Sequence, residues 1–591
     1  LDMQLRYIGR KDKQIKINGN RIELEEIENI AKKQFKFKNV VVDVKYISNI
    51  PNICLYYVSK NEYRGSYIRG KLKNYLPYYM LPSKYVKIDF VPVNKNGKVV
   101  RDLLPIPKKD VDSSLDKIRY INEFEENVCK VWEEILGKSV DPKHSIFDYG
   151  VDSLNIIRCQ VKLSKYTKVI NVQKFYEYPI IREFCKHINE MPKDETNLEE
   201  LKKYKYINYS KPKTEDNFGK NIILVGATGF LGIHILKELL TINETDIIYC
   251  IVRGIDFEKR LRNRFKFYFG NEFIGLYEEK VKVINGNIEQ ENFGLQEDEL
   301  LNIVKNTNRL INAAAIVKHH GYYSEFDLIN VQAVKNIVKI CKAHNLILEH
   351  ISTVSIAGDS SIEVFDESKF YIGQNYKINP YIETKFKAEL YIYKMISEQN
   401  LMANVYRIGN LTWRYVDGVY QKNVLNNGFF MRIKNMLFLK AYPSSIKNMK
   451  VEMTPVDIAA KFIISLMFYT KEVNQIFHIY NPNTVNFLDM IYSLDTAKGS
   501  EFRELSDNDF MEILKKYDSR ENVLLNDIIS SMGTIEVQID NKYTIKKLNE
   551  CKQVWPNLDK NYINKMSIYL NKFTKEEFNG TKEKIKLKNN N

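Results

Sequence analysis

The sequence predicts a multidomain chain whose largest part is an α/β domain built on a doubly wound parallel sheet. Its 591 residues correspond to about three or four domains at roughly 150 residues each. From residue 219 onward, apolar strand-like runs alternate with amphipathic helical stretches, which is typical of a parallel sheet covered on both faces. Residues 116–190 have a purely helical pattern instead, and residues 1–112 mix short β-patterned runs with helices, which indicates a small α+β unit.

The composition fits a folded protein and excludes several other classes. Apolar residues make up 44% of the chain, which is too many for a disordered protein, and the net charge of +15 is spread along the sequence rather than gathered in one patch. No apolar run approaches the roughly 18 residues of a membrane span, and the first residues lack a signal-peptide core. The seven cysteines are widely spaced with no CxxC pair. We therefore expect a cytoplasmic protein with no metal, no membrane and no nucleic-acid partner.

The strongest motif is NIILVGATGFLGIHILKELL, in which the apolar run 222–225 is followed by three spaced glycines and a helix. Glycine is needed where the turn is tight, where backbone approaches a pyrophosphate, and where the helix packs on the strand. The helix N-terminus then offers N–H groups and a positive dipole end to phosphates. The residues expected to bind a dinucleotide here are Gly226, Thr228, Gly229, Phe230, Leu231 and Gly232.

The next strand, DIIYCIV, ends at Arg253, about 20 residues after the last glycine of the turn. At that distance an NAD-binding site carries an acidic residue for the ribose 2′-hydroxyl, whereas an arginine suits the 2′-phosphate of NADP. Arg260 follows in the next helical stretch, where a solvated helix face is the alternative interpretation. The pattern therefore predicts NADP(H) as the cofactor.

A candidate catalytic group lies further along, where LEHISTVSIAG reads as a strand ending in hydroxyl residues and a helix opens after Pro380. Tyr381 and Lys385 are four residues apart, so their side chains share one helix face. A lysine ammonium near a phenol lowers the tyrosine pKa and makes it a usable proton donor. Thr353, at the strand end, can supply a second hydroxyl. A YxxxK pair is common on ordinary helices, but its place after a dinucleotide turn favours catalysis.

Residues 220–480 resemble an extended short-chain dehydrogenase/reductase. More narrowly, the segments IVRG, AAAIV, HISTVSIAG, YRIGNLTW and MTPVDIAAKF resemble the thioester reductase domains that terminate nonribosomal peptide synthetases and occur in aminoadipate and carboxylic acid reductases. The resemblance implies NADPH as cofactor, with Ala313 and Lys385 among its contacts. Asn287 stands where the family usually has an aspartate and can still bond the adenine, so we expect it to bind the cofactor. Asn312 stands where the family has a histidine.

The helical segment contains HSIFDYGVDSLNIIRCQ, in which Ser153 opens a helix after a glycine turn. A helix N-terminus favours an anionic phosphodiester, although three residues alone fit an ordinary N-cap as well. Over its whole length the segment resembles a peptidyl carrier domain, a four-helix bundle, and FDYGVDSL matches its attachment motif. The resemblance implies a 4′-phosphopantetheine on Ser153, added by a phosphopantetheinyl transferase.

Within residues 9–101, the runs GRKDKQIKINGNRIELEEIE, LPYYMLPS and NGKVVR resemble the last three motifs of an adenylation domain. The resemblance implies that Asp12 is the hinge of its small C-terminal subdomain and that Lys98 contacts the adenylate. The large adenylation core is not part of this sequence, so we expect Lys98 to be inactive here and upstream synthetase domains, including that core, to be partners.

The expected domains are an adenylation C-terminal subdomain (1–112), a carrier (116–190), a linker (191–218) and a thioester reductase (219–585), whose Rossmann core lies mainly in 219–410 and substrate subdomain mainly in 411–580. The expected function is NADPH-dependent reductive release of a carrier-bound acyl or peptidyl thioester as an aldehyde, with further reduction to an alcohol left open. The alternatives are an aminoadipate or carboxylic acid reductase with the same domain order, and a non-reducing dehydrogenase-like domain that only docks the carrier.

Overall fold

The computed structural model of the chain divides into two compact units, Leu1–Glu190 and Met191–Asn591. The structure describes residues 14–107, 120–188, 198–212, 220–495, 502–510 and 537–570, apart from internal gaps at 18–19, 36, 48–49, 64, 73–74, 77–79, 94–98, 150, 152, 164–165, 167–172, 208, 318–320, 322, 359–363, 423, 425–426 and 508.

The first part of the first unit is a small α+β structure, as the sequence predicts. It contains β1 (Gln14–Ile17), β2 (Asn20–Glu23), α1 (Leu24–Phe35), β3 (Asn39–Ile47), β4 (Ile50–Val58), α2 (Gly65–Leu72) and β5 (Lys84–Lys87). Strands β3 and β4 pair antiparallel and β5 joins β4 in parallel, while β1 and β2 form a separate hairpin. Helix α1 packs on this sheet because Leu24, Ile27, Ala31 and Phe35, spaced three and four residues apart, are buried on one face.

In the second part of that unit, the described residues form four helices, as expected of a carrier domain: α3 (Glu123–Leu136), α4 (Ser153–Leu163), α5 (Gln173–Glu177) and α6 (Ile181–His187). Helix α3 begins where the Asn122 side chain accepts a hydrogen bond from the Glu125 backbone N–H, and it ends at Gly137 in the left-handed region. The fully buried Trp132 meets the ring of Phe175 edge-on, with ring centroids 5.9 Å apart. These contacts join α3 to α5 in one small core.

The second unit is the α/β domain. Its elements up to the fifth strand of the large sheet are α7 (Leu198–Lys202), β6 (Lys211–Pro212), β7 (Asn221–Val225), α8 (Phe230–Leu240), β8 (Ile248–Val252), α9 (Phe257–Phe269), α10 (Ile274–Lys280), β9 (Val281–Asn285), α11 (Glu297–Val304), β10 (Thr307–Asn312), α12 (Tyr323–Phe326), α13 (Ala333–Ala343) and β11 (Ile347–Thr353). The remainder are α14 (Pro380–Gln399), β12 (Ala403–Ile408), β13 (Leu411–Thr412), α15 (Gly428–Leu439), β14 (Ala441–Pro443), β15 (Lys450–Val451), β16 (Thr454–Pro455), α16 (Val456–Tyr469), β17 (Glu472–Val473), β18 (Ile476–Ile479), β19 (Val485–Asn486), α17 (Phe487–Leu494), β20 (Arg503–Leu505), α18 (Lys542–Glu550) and a helix over 560–570.

Seven strands of this unit form one all-parallel sheet in the order β18-β12-β11-β10-β7-β8-β9. The chain starts in the middle at β7, runs outward to β9, and returns to β10 on the other side of β7. The strand order therefore reverses between β7 and β10, and in such sheets ligands bind beyond the carboxyl ends of the strands at that point.

Helices cover both faces of the sheet, which confirms the doubly wound α/β class. Residues of α13 and α14 form one core with the sheet, and residues of α8, α9 and α16 form the other core on the opposite face. The central strand β7 is buried on both faces and is apolar from Ile222 to Val225, whereas β10, β11 and β12 also carry buried polar side chains. A third core, which includes Trp413, Tyr420 and Phe430, lies outside these two layers.

Two boundaries differ from the sequence-based expectations. The predicted linker is folded over much of its length: Leu201, Tyr204 and Ile207 are buried in the core beside α14, and β6 pairs with β17. The polar residues between these three apolar residues make their regular spacing hard to recognise in the sequence. In addition, α16, β18 and α18 pack with the Rossmann layers. The C-terminal part of the chain is therefore divided between the Rossmann core and a separate subdomain.

Two features are absent from the described residues. None of their helices has both the length and the apolar character that crossing a bilayer requires. Nor do their His, Cys, Asp and Glu side chains gather anywhere in a group of three that could hold a metal ion.

Candidate active site

The glycine-rich turn after β7 lies against the end of β10. Gly226 has φ +82°, and a Cβ added there would lie 2.5 Å from the carbonyl carbon of Ala313. A Cβ on Gly232 would lie 2.1 Å from the carbonyl oxygen of Gly226. Both positions therefore require glycine, and their bare backbone forms a cradle at the point where the strand order reverses. Such a cradle fits the approach of a dinucleotide pyrophosphate.

Helix α8 begins directly behind this cradle. The Gly229 N–H donates to the Gly226 carbonyl at 2.9 Å, and no side chain caps the helix. The ring of Phe230 packs edge-on against His234 and Tyr420, each with centroids 5.4 Å away, and Leu231 is buried. The side chains of Phe230 and Leu231 thus serve packing, which leaves the backbone N–H groups at the start of α8 as the groups that could meet a phosphate.

Two arginines lie beyond β8, as the sequence predicts. The side chain of Arg253 is 66% exposed and ion-pairs with Glu289, and the Arg260 guanidinium donates to the Arg253 carbonyl oxygen. The Asn287 side chain accepts a hydrogen bond from the Glu289 N–H at 3.1 Å and so shapes the loop that carries this glutamate. Sequence reasoning missed Glu289, because it meets Arg253 across two neighbouring strands rather than along the chain.

Thr353, Tyr381 and Lys385 come together at the carboxyl end of β11. Helix α14 starts at Pro380, where the Asn379 side chain accepts from the Ile382 N–H at 3.0 Å. The phenol of the partly buried Tyr381 is hydrogen-bonded to the Thr353 hydroxyl. The buried Lys385 donates from Nζ to the Ile351 carbonyl at 2.6 Å. The four-residue spacing thus brings both α14 side chains to the strand end.

The pKa of Tyr381 differs from the sequence-based expectation. Burial raises the pKa of this phenol, and the hydrogen bond with Thr353 lowers it by less. The net direction is therefore opposite to the expected lowering, because burial outweighs the effect of the neighbouring polar group. Burial also lowers the pKa of Lys385 to about 8. Tyr381 is thus a neutral phenol at physiological pH, as a proton donor must be.

Asn312, which stands where the resemblance leads one to expect histidine, holds the end of β10. Its Nδ2 donates to Nδ1 of His350 at 3.3 Å, and its Oδ1 accepts from the Ala314 N–H at 3.2 Å. The loop that presents Ala313 to the glycine turn is therefore fixed by this amide.

In the first unit, Ser153 is the first residue of α4, as the attachment motif predicts. Asp12 and Lys98, predicted as the hinge and the adenylate-contacting lysine, lie outside the described residues.

Comparison with known families assigns both regions. Residues 224–463 match an NAD-binding family described as male sterility protein, and residues 126–188 match the phosphopantetheine attachment site family. The fold and site thus define an NAD(P)-binding oxidoreductase domain joined to a phosphopantetheine carrier domain.

Similar proteins define the class of oxidoreductase more closely. The chain is 26% identical to a linear gramicidin synthase of Brevibacillus parabrevis over 96% of its own length, and 31% identical to gramicidin S synthase 1 of Brevibacillus brevis over 32%. It spans only 12% and 17% of those two proteins. A solved thiolation-reductase di-domain from an archaeal nonribosomal peptide synthetase superposes with a TM-score of 0.65 and 26% identity, covering 78% of this chain and 99% of that one.

The terminal R domain of the myxalamid pathway, at 22% identity, shares the fold with a TM-score of 0.53 over 62% of this chain and 93% of its own. Residues 126–188 are a carrier domain, and residues 224–463 belong to a reductase domain of the nonribosomal peptide synthetase type. This confirms the carrier and reductase parts of the resemblance stated from the sequence.

Proposed function

We propose that this chain reduces an acyl or peptidyl thioester carried on a 4′-phosphopantetheine at Ser153, with NADPH as reductant, and releases the acyl group as an aldehyde. The observation that carries the proposal is the Thr353–Tyr381–Lys385 group at the end of β11, in an NAD(P)-binding sheet, on the same chain as a carrier domain. Tethering raises the effective concentration of the substrate, so the site needs little affinity for the acyl group itself.

The residues present fit a dinucleotide and favour its phosphorylated form. Gly226 and Gly232 leave the backbone cradle open to a pyrophosphate, and Ala313 borders it. Arg253 and Arg260 offer two guanidinium groups beside the end of β8, where dinucleotide-binding sheets bind the 2′-phosphate of NADP. When bound, NADPH supplies the hydride that reduces the thioester carbonyl carbon.

The protein's own part is to stabilise and protonate the carbonyl oxygen. Tyr381 donates its phenolic proton to that oxygen as negative charge develops there, and the Thr353 hydroxyl donates a second hydrogen bond. The Lys385 ammonium has three protons, of which one goes to the Ile351 carbonyl, and its charge stabilises the phenolate left behind. The product of these two transfers is a thiohemiacetal. Its carbon–sulfur bond then breaks, which releases the aldehyde and returns the pantetheine sulfur as a thiol, with the hydroxyl proton passing to that sulfur.

Residues 1–112 are proposed to be the C-terminal subdomain of an adenylation domain, with Asp12 as its hinge and Lys98 as its adenylate-contacting residue. The alignment with the linear gramicidin synthase, which extends over nearly the whole chain, supports this. The proposed partners are therefore upstream synthetase domains with an adenylation core, and a phosphopantetheinyl transferase. All seven cysteines are unpaired, which supports a reducing, cytoplasmic compartment.

The test is NADPH oxidation by the full chain after Ser153 has been loaded with an acyl-pantetheine, with the product identified by mass spectrometry. NADH and a Ser153→Ala chain are the controls. We expect oxidation that depends on Ser153 and yields an aldehyde. A chain with verified loading and bound NADPH that oxidises none of it, across several acyl groups, would refute the proposal and favour a carrier-docking role.

A further inference from the structure

Helix α14 carries a buried polar stripe that the proposed catalytic group explains only in part. Tyr381, Lys385, Glu389 and Tyr393 follow one another at four-residue intervals and therefore share one face of the helix. Glu389 and Tyr393 are fully buried. A carboxylate is rarely placed in a core unless it is paired and hydrogen-bonded, so Glu389 calls for a reason beyond packing.

Glu389 ties α14 to two neighbouring strands. Its Oε1 accepts a hydrogen bond from the Ser352 hydroxyl on β11, one residue before Thr353. Its Oε2 accepts from Nη2 of Arg407 on β12 at 3.0 Å and from the Tyr393 hydroxyl at 2.6 Å. A single carboxylate therefore fixes the helix that holds Tyr381 against the strand that ends in Thr353.

The Arg407 guanidinium also has hydrogen-bond partners other than Glu389. Its Nη1 donates to the Lys369 carbonyl at 2.8 Å and to Nε2 of His478 at 3.1 Å, and the ring of Phe365 lies 4.8 Å from its guanidinium carbon. Both members of the Glu389–Arg407 pair are 0% exposed. Apolar residues of similar volume often stabilise a fold as well as such a pair does, which points to a use other than stability.

The charge of Glu389 also acts on Lys385. The titratable groups that face Lys385 are Tyr381 and Glu389 on its own helix and His350 on β11, with Arg407 on β12 behind Glu389. His350 is neutral, because burial holds its pKa well below the usual range. Glu389 is the partner that raises the pKa of Lys385 against the larger effect of burial.

We propose that the Glu389–Arg407 pair is a positioning element of the reductase site. It holds α14 against β11 so that Tyr381 meets Thr353, and it places a negative charge behind the Lys385 ammonium. Glu389 touches no reacting atom and acts through these three residues. The inference rests on the proposed function, since it assumes that Tyr381 and Lys385 take part in the reduction.

The same sheet offers a matched control. Glu349 on β11 is fully buried, pairs with Arg309 on β10, and accepts from the Tyr406 hydroxyl at 2.8 Å. Arg309 lies over the ring of Phe468 on α16, so this second pair is on the sheet face opposite α14. It is nearly as buried as the first pair, with Arg309 7% exposed and Glu349 0% exposed, and it lies away from α14.

The experiment compares Glu389→Gln/Arg407→Met with Glu349→Gln/Arg309→Met in the full chain with a loaded carrier. Removing both charges of a pair leaves neither of its two members as an unpaired buried charge. NADPH oxidation is followed from about pH 6 to about pH 9.5, with melting temperature and NADPH affinity measured in parallel. We expect the alkaline limb of the Glu389→Gln/Arg407→Met profile to move down by about one pH unit, while the control keeps the wild-type profile.

The outcomes separate the two proposals. If both double variants have the same profile, the positioning role is wrong, whereas full activity of Tyr381→Phe would overturn the proposed function itself. If Glu389→Gln/Arg407→Met does not fold, Ser352→Ala decides, because it removes one neutral hydrogen bond to Glu389. We expect it to lower kcat several-fold with unchanged KM, and a wild-type kcat would overturn the inference.

Discussion

A single methyl group added at Gly232 tests the dinucleotide cradle directly. The Cβ of Gly232→Ala would lie 2.1 Å from the Gly226 carbonyl oxygen, whereas ordinary contacts begin near 3.4 Å, so the turn must retreat by about 1.3 Å. Displacing a cofactor by about 1 Å costs roughly 100-fold in rate, and overpacking costs about 1–3 kcal/mol of stability. We therefore expect weaker NADPH binding, a rate reduced by one to two orders of magnitude, and a lower melting temperature.

The matched control is Gly275→Ala, in helix α10, where an added Cβ meets nothing within 4 Å. Alanine there should stabilise the helix by about 0.5–1 kcal/mol and leave cofactor binding unchanged. NADPH affinity is measured by fluorescence titration, and stability by thermal melting. Wild-type NADPH affinity and rate in a folded Gly232→Ala chain would show that the glycine turn does not hold the cofactor.

Three further changes have defined expected outcomes. Tyr381→Phe should retain NADPH binding but lose reduction by roughly 10²–10⁴-fold, the usual contribution of a general acid, and unchanged turnover would rule the phenol out. Arg253→Ala should weaken NADPH binding about tenfold without affecting NADH, whereas Lys542→Ala, which removes another exposed paired cation, should change neither. Because the Lys385 pKa is about 8 and the ammonium form is the active one, turnover should fall as the pH rises through about 8; a rate that stays level to about pH 9.5 would contradict this.

Features that are encoded locally could be predicted from the sequence. The turn at Gly226 and Gly232 was predictable because glycine is demanded by backbone contacts a few residues apart. Tyr381 and Lys385 were placed together because a four-residue spacing brings side chains onto one helix face. In each case the geometry of one element was enough.

Features that depend on tertiary contacts could not be predicted. Glu289 meets Arg253, and Glu389 meets Arg407, only because separate strands and helices become neighbours. The direction predicted for the Tyr381 pKa shift was wrong for the same reason, since burial is a property of the whole fold. The repeat of polar residues every four positions along α14 continues past Lys385, and this was the one signal that would have indicated Glu389.

The C-terminal part of the chain is divided between the Rossmann core and a separate subdomain, and this has a consequence for how such reductases diversify. The chain leaves the sheet after β12 and returns through α16 to β18, and the two ends of the excursion pair with each other, Leu411 with Thr454. The Thr454 N–H also donates to the Asn410 carbonyl at 2.9 Å. A segment whose ends meet can be exchanged between homologues without moving the flanking strands. Residues 411–454 thus leave and rejoin the framework at one point, but they share a core with residues 487–494 and 562–570. An exchange of this segment between homologues would therefore have to include those residues as well.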